Sequence, residues 1–262
     1  MKKYILILIL GFFTSCEEVI EVQLENAEPL LVIEASIGQG EFSVVNISLS
    51  STYFDDVQAK KVEDAQVTIT DVASGLSEEL AYEGNGVFKG SEIIGEVLKE
   101  YELKINYQNK VYSSVSTLYP RAEINGIGFN QVNGGGFFSD TGLVALIDFN
   151  SAHSEAYYAL EYVISQDEFE IGYSLQEAVD SGTNSLYVNP QAILSNGDSV
   201  TLVIKSIDKN HYDYLFGLND LIGNSNQGGS ATPYNPVSRF NPTALGYFTA
   251  YSMIVKDTIA LP

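Results

Sequence analysis

Between residues 45 and 117, apolar and polar side chains alternate with a period of two, and this constrains the fold more than any other feature. Val45, Ile47 and Leu49 alternate with Asn46, Ser48 and Ser50. Val67 and Ile69 alternate with Gln66, Thr68 and Thr70, and Tyr101, Leu103, Ile105 and Tyr107 with Glu102, Lys104 and Asn106. A helix cannot bury such a stripe, whereas a strand with one face on a core does so by geometry. Turn signals separate these runs: Gly38-Gln39-Gly40, Asp71 to Gly75, Gly84-Asn85-Gly86 and Gln108-Asn109. The last joins Tyr101–Tyr107 to Lys110–Thr117 and reads as a hairpin. Leu30 to Glu34, after Pro29, is an apolar run of strand length. About seven short strands at this spacing predict an antiparallel β-sandwich of immunoglobulin-like type over residues 29–120. With one Cys and no Trp, it lacks the disulfide-and-tryptophan core of antibody domains.

After Pro120 the texture changes. Gly126, Gly128 and Gly134-Gly135-Gly136 read as an exposed stretch, not as a dinucleotide fingerprint, because no helix or acidic ribose contact follows. Two longer strand patterns follow, one through Leu143 to Phe149 and one through Ala156 to Ile164, then another through Val200, Leu202 and Ile204. The Ser174 and Glu177 spacing predicts a short helix over 175–180 ending near Gly182. Asp208 is placed to cap a helix over 209–222, with Tyr212, Leu215, Phe216, Leu218 and Ile222 on its buried side and Gly223 as its stop. A loop over 224–243 leads to a final strand from Leu245 to about Val255. Residues 121–262 thus read as a second, mainly β domain with one or two short helices.

The first residues carry an address. Lys2 and Lys3 precede an apolar run from Tyr4 to Phe13, then Thr14, Ser15 and the only cysteine, Cys16. A run of this length is too short to span a bilayer and has the form of a secretory signal peptide over 1–15. Thr14-Ser15-Cys16 resembles a bacterial lipobox, in which the cysteine becomes the new N-terminus and receives acyl chains; Phe13 stands where leucine is usual. At about 0.8 kcal/mol per buried methylene, several chains on Cys16 hold a protein on a membrane. Glu17 and Glu18 resemble the export signal that sends lipoproteins to the outer face of the outer membrane. Residues 16–28 read as an acidic tether.

Charge and chemistry exclude more than they assign. Lys and Arg number 13 against 34 Asp and Glu, for a net charge of −21. Removing residues 1–15 takes away two lysines and no acid, leaving −23. Such a field repels phosphate backbones, so nucleic acid is not an expected partner. His153 and His211 are the only histidines and read as solvated surface groups rather than metal ligands or members of a serine triad. Asp55, Asp56, Glu63 and Asp64 read as a charged loop before a weak calcium site. No catalytic, cofactor or metal residue is assigned, and no phosphate loop, zinc-protease motif or nucleophile elbow occurs. Asp198-Ser199-Val200 and Asp257-Thr258-Ile259 resemble the three-residue O-glycosylation signal of Bacteroidota envelope proteins, with Ser199 and Thr258 as acceptors. Tyr157 and Tyr234 are candidates for stacking on sugars or peptides.

Three parts in order carry a family resemblance. They are the Cys16 leader; the sandwich segments Ala65-Gln66-Val67-Thr68-Ile69-Thr70-Asp71, Gly84-Asn85-Gly86-Val87-Phe88 and Tyr101-Glu102-Leu103; and Tyr212-Asp213-Tyr214-Leu215 followed by Asn235-Pro236 and Leu245-Gly246-Tyr247-Phe248. This order resembles the Bacteroidota domain-of-unknown-function 4249 family. Where the family shows a paired glycine before its Leu-Gly-Tyr-Phe end, this chain has Thr243-Ala244. The resemblance implies an outer-membrane lipoprotein, accessory or ligand-binding partner to a TonB-dependent transporter, and the missing catalytic constellation makes a non-enzymatic role the expectation. An envelope adhesion module, or a hydrolase with a concealed site, are the other readings.

Overall fold

The computed structural model describes residues 28–51, 59–135, 141–165, 169–177, 183–187, 193–225 and 235–261. The alternating segments are strands. β1 (Leu31–Gly38) pairs antiparallel with β2 (Phe42–Leu49), which pairs with β6 (Val87–Ile94), and β6 with β5 (Ala81–Gly84). The facing sheet runs β4 (Ser77–Glu79), β3 (Gln66–Asp71), β7 (Glu100–Tyr107) and β8 (Lys110–Thr117). Gln108 and Asn109 both take positive φ, 49° and 60°, the geometry of a two-residue hairpin turn whose twist matches its strands. The inward residues, among them Ile33, Ile47, Ile69, Leu103 and Ile105, form one core between the sheets. This is the expected immunoglobulin-like sandwich.

The second half of the chain builds another sandwich. β9 (Glu123–Val132), β10 (Gly142–Asn150) and β13 (Thr183–Tyr187) make a three-stranded sheet. It faces β11 (Tyr157–Ser165), β12 (Phe169–Gln176), β14 (Ser199–Ile207) and half of β15 (Leu245–Ile259) across a core that includes Ile147, Phe149, Tyr158, Leu160 and Leu202. A 17-residue helix, α1 (Lys209–Ser225), lies on the outer face, where Tyr212 packs with Ala159 and Ile207. Among the described residues it is the only helix.

Three expectations change. The segment expected as a helix over 175–180 begins as strand: Leu175 and Gln176 end β12, held in register by Tyr158↔Gln176 and Leu160↔Ser174, and 178–182 lie outside the described residues. The ladder offered by the longer β11 outweighs the local capping pattern. The helix continues past Gly223 to Ser225. The last strand does not stop near Val255 but runs 15 residues, to Ile259.

That length links the two sandwiches. Leu245–Tyr251 pairs parallel with β1, and Ser252–Ile259 pairs antiparallel with β14. At about 3.3 Å per residue, β15 extends some 50 Å, enough to cross both units. It joins β12-β11-β14 to β1-β2-β6-β5 in one eight-stranded sheet. Phe240, Ala244, Phe248 and Ala250 accordingly pack in the first core, on the far side of the Pro120 division. Asn241 and Ser113 exchange two backbone hydrogen bonds of 2.9 Å, which closes the first sandwich along β8.

Candidate functional site

Among the described residues a concavity lies where the two sandwiches meet, at the point on β15 where β1 ends. Gln39 and Glu41 come from the β1–β2 turn, Arg121 from the link between sandwiches, and Tyr251 and Met253 from β15. These line a cleft of about 320 Å³. Beside it, a groove of about 600 Å³ shares Gln39 and Arg121 and adds Val97, Pro120, Glu123, Ile124 and Ile254. The Tyr251 hydroxyl donates to Glu41 Oε2 at 3.0 Å, and Lys205 Nζ stands 5.8 Å from the Tyr251 ring centre. Burial, then the Glu41 carboxylate, pushes the phenol up to about 12, so it stays a donor at neutral pH. Arg121 and Arg239 are the chain's only arginines. Arg239 pairs with Asp213 at 3.1 Å, whereas Arg121 is exposed and makes no ion pair among the described residues. The Arg121 guanidinium shares this lining with Glu41, which the Tyr251 hydroxyl holds, and with Glu123 of the groove. The periodic pattern passed over Arg121, and its one sequence signal is its place directly after Pro120.

A second polar cluster lies under the start of α1. Asp208 caps the helix: its Oδ1 accepts the His211 N–H at 2.9 Å and its Oδ2 accepts the Ser116 hydroxyl at 2.5 Å. Ser116 Oγ in turn accepts the Ala250 N–H at 2.7 Å. One hydroxyl thereby ties β8, β15 and the helix together. His211 is not a solvated surface group. It is 8% exposed, stacked on Tyr247 with ring centres 4.6 Å apart and planes at 18°, and its Nδ1 has no hydrogen-bond partner among the described residues. Burial, followed by the charge of Lys205, lowers its pKa to about 3. Burial raises the Asp208 carboxyl against the lowering effect of its donors. A serine, an aspartate and a histidine meet here, yet the carboxylate holds the histidine's backbone and not its ring. No imidazole stands beside the hydroxyl to take its proton, so the arrangement is a helix cap and not a nucleophile relay.

The other predicted residues are dispersed. His153 lies in the β10–β11 turn against Tyr119, with ring centres 4.8 Å apart, and its Nδ1 accepts the Glu155 N–H at 3.2 Å. Glu63 and Asp64 are exposed, and Asp55 and Asp56 lie outside the described residues. Among the described residues no three His, Cys, Asp or Glu side chains converge. Tyr157 is not free to stack on a ligand, since Tyr212 covers it at 4.8 Å and Lys209 lies 5.8 Å from its ring centre. Phe216, expected on the buried side of the helix, is 58% exposed against Tyr212. Ser199 and Thr258 fall at the same end of the β14–β15 ladder, where Ser199 pairs with Ile259 and Val200 with Thr258. Cys16, Glu17, Glu18 and Tyr234 lie outside the described residues.

A family model described as Domain of unknown function (DUF4249) matches residues 17–256. No curated protein matches the chain. Among solved structures the chain is similar to the chicken interferon gamma receptor alpha chain, at 10% identity, TM-score 0.21, over 69% of this chain and 90% of that one. It is also similar to a DUF4785 family protein from Legionella pneumophila, at 19% identity and TM-score 0.28, over 68% of this chain and 51% of that one. The BSP domain of a biofilm associated protein matches at 14% identity and TM-score 0.22, over 67% and 27% of the respective chains. At these TM-scores the likenesses add nothing to the fold read from the chain itself.

Proposed function

The chain belongs to the DUF4249 family, and from that membership we propose that it is a lipid-anchored protein of the outer-membrane surface, without catalytic activity, serving as an accessory or ligand-binding partner of a TonB-dependent transporter. The observation that carries the anchor is Thr14-Ser15-Cys16 directly after a ten-residue apolar run. The family match beginning at residue 17, one position beyond Cys16, supports it. Among the described residues no helix is long and apolar enough to cross a membrane. Glu17 and Glu18, which resemble the surface-export signal, support the outer face.

Cys16→Ala is the test. The native chain is expected to partition into detergent and stay with membranes in high salt, and the variant to be released by salt. Membrane retention of the variant rejects the lipid anchor. Co-purification of the native chain from detergent-solubilised membranes is expected to recover an outer-membrane transporter, and recovery of none rejects that role. The groove between the sandwiches favours a second reading, in which the chain is an envelope interaction module that holds another protein there.

A further inference from the structure

We propose that the second half of β15 is a docking edge for an extended peptide, which adds as a strand in line with β1. Backbone groups along a strand point alternately to its two sides. The Ala260 N–H donates to the Asp198 carbonyl and the Ala260 carbonyl accepts the Gly197 N–H, both at 2.8 Å, so even-numbered residues face β14. The Tyr251 carbonyl accepts the Gln39 N–H at 2.8 Å on the opposite side, so odd-numbered residues face β1. β1 ends at Gly38, opposite Tyr251. Beyond that point the N–H and C=O groups of Met253, Val255, Asp257 and Ile259 face an edge that no strand covers among the described residues. Strand edges of this length are ordinarily shortened, bulged or covered, because they template pairing.

The surroundings define the occupant. On the outer face Met253, Val255 and Ile259 are 40%, 51% and 54% exposed, so a strand laid beside them meets aliphatic neighbours. On the inner side the groove presents Ile254 and Ile124. Arg121, which carries no ion pair among the described residues, stands at the Met253 end, where the neighbouring Glu41 carboxylate is held by the Tyr251 hydroxyl at 3.0 Å. The segment that fits spans about seven residues, is aliphatic at alternate positions, and bears an acidic residue at the end beside Arg121. A second copy of this chain is the poorer occupant, because two bodies of net charge −21 repel. This reading goes beyond the proposed function and does not depend on the anchor, since the edge is the same with or without acyl chains.

The test uses the full chain in mild non-ionic detergent and fluorescent peptides of sequence Glu-Val-Thr-Val-Thr-Val-Thr and Lys-Val-Thr-Val-Thr-Val-Thr. The Glu-led peptide is expected to bind more tightly and to slow hydrogen exchange at Met253, Val255, Asp257 and Ile259. Val255→Pro removes one edge donor without touching the β14 ladder, so it keeps the native melting temperature within a few degrees and binds the peptide at least about tenfold more weakly. Arg121→Glu reverses the preference between the peptides and serves should the proline variant unfold. Absence of binding, equal binding to Val255→Pro, or protection confined to β9 or β12 overturns the proposal. A chain dimer that Val255→Pro dissociates also overturns it, in favour of a second copy. Repetition with Cys16→Ala separates this outcome from the fate of the anchor.

Discussion

Glu78 holds together an irregular stretch of the first sandwich. The β2–β6 ladder shifts register between Phe42↔Ile94 and Val44↔Lys89, which frees the amides in between. The Glu78 carboxylate takes three in a row: Ile93 N at 2.8 Å, Glu92 N at 3.0 Å, and Ser91 N. Burial works against the ionised form, but these donors outweigh it and hold the pKa below its ordinary 4.5. A carboxylate depressed by folding stabilises above its unfolded pKa and loses that contribution as pH falls through the folded one. Glu78→Gln should therefore cost about 2–3 kcal/mol at pH 7 in urea unfolding, and less below pH 4. His211 acts in the same direction by a different route. Its neutral ring is favoured in the fold, so stability present above pH 6.5 declines toward about pH 3, by at most about 1.4 kcal/mol per pH unit. His211→Phe keeps the stack on Tyr247 and should flatten the loss between pH 6.5 and 4. Glu78 does not stand out in the sequence, where His211 reads as a solvated surface group. Glu78 is one of 34 acids, and the burial of His211 depends on Tyr247, which lies 36 positions away on another element.

At the scale of elements, one strand and one helix cap decide most. Gly246 has φ +97°, and a Cβ there would overlap the Ile33 carbonyl oxygen on β1. Gly246→Ala should cost about 2–4 kcal/mol, checked as a drop in urea midpoint at unchanged slope. Asp208→Asn keeps the acceptor for the His211 amide but puts a donor where the Ser116 hydroxyl is accepted, so at pH 7 it should lose less stability than Asp208→Ala. Asp208→Ala, which strands Ser116 and the His211 amide, should lose about 1–3 kcal/mol. Strands β2, β3, β7 and β8 of the first sandwich were legible because they alternate over a single core. The Asp208 cap was legible for the same local reason. β12 was not, because its pairing with β11 overrides a capping pattern. The span of β15 was not, because its second half exposes Met253, Val255 and Ile259 and so departs from the alternation of a covered strand. The groove stayed hidden because Gln39, Arg121 and Tyr251 converge only once β15 bridges the sandwiches.

For the whole molecule, a shared strand makes the two sandwiches one cooperative body. Deleting residues 240–262 would remove Phe240, Ala244, Phe248 and Ala250 from one core and Ile254 and Ala260 from the other. Urea unfolding followed by tyrosine fluorescence and by far-ultraviolet circular dichroism should accordingly give one coincident transition, and two separated ones would show that the halves fold independently. The parallel register of β1 on β15 has a mechanical meaning as well. A pull between the chain's N-terminal end and a load gripping the far end of β15 draws these strands in opposite directions along their common axis. All seven residue pairs from Val32↔Leu245 to Gly38↔Tyr251 then bear the force together instead of parting one by one. The junction between the sandwiches is thereby a shear clamp, strongest along the line that runs from the start of β1 to the far end of β15.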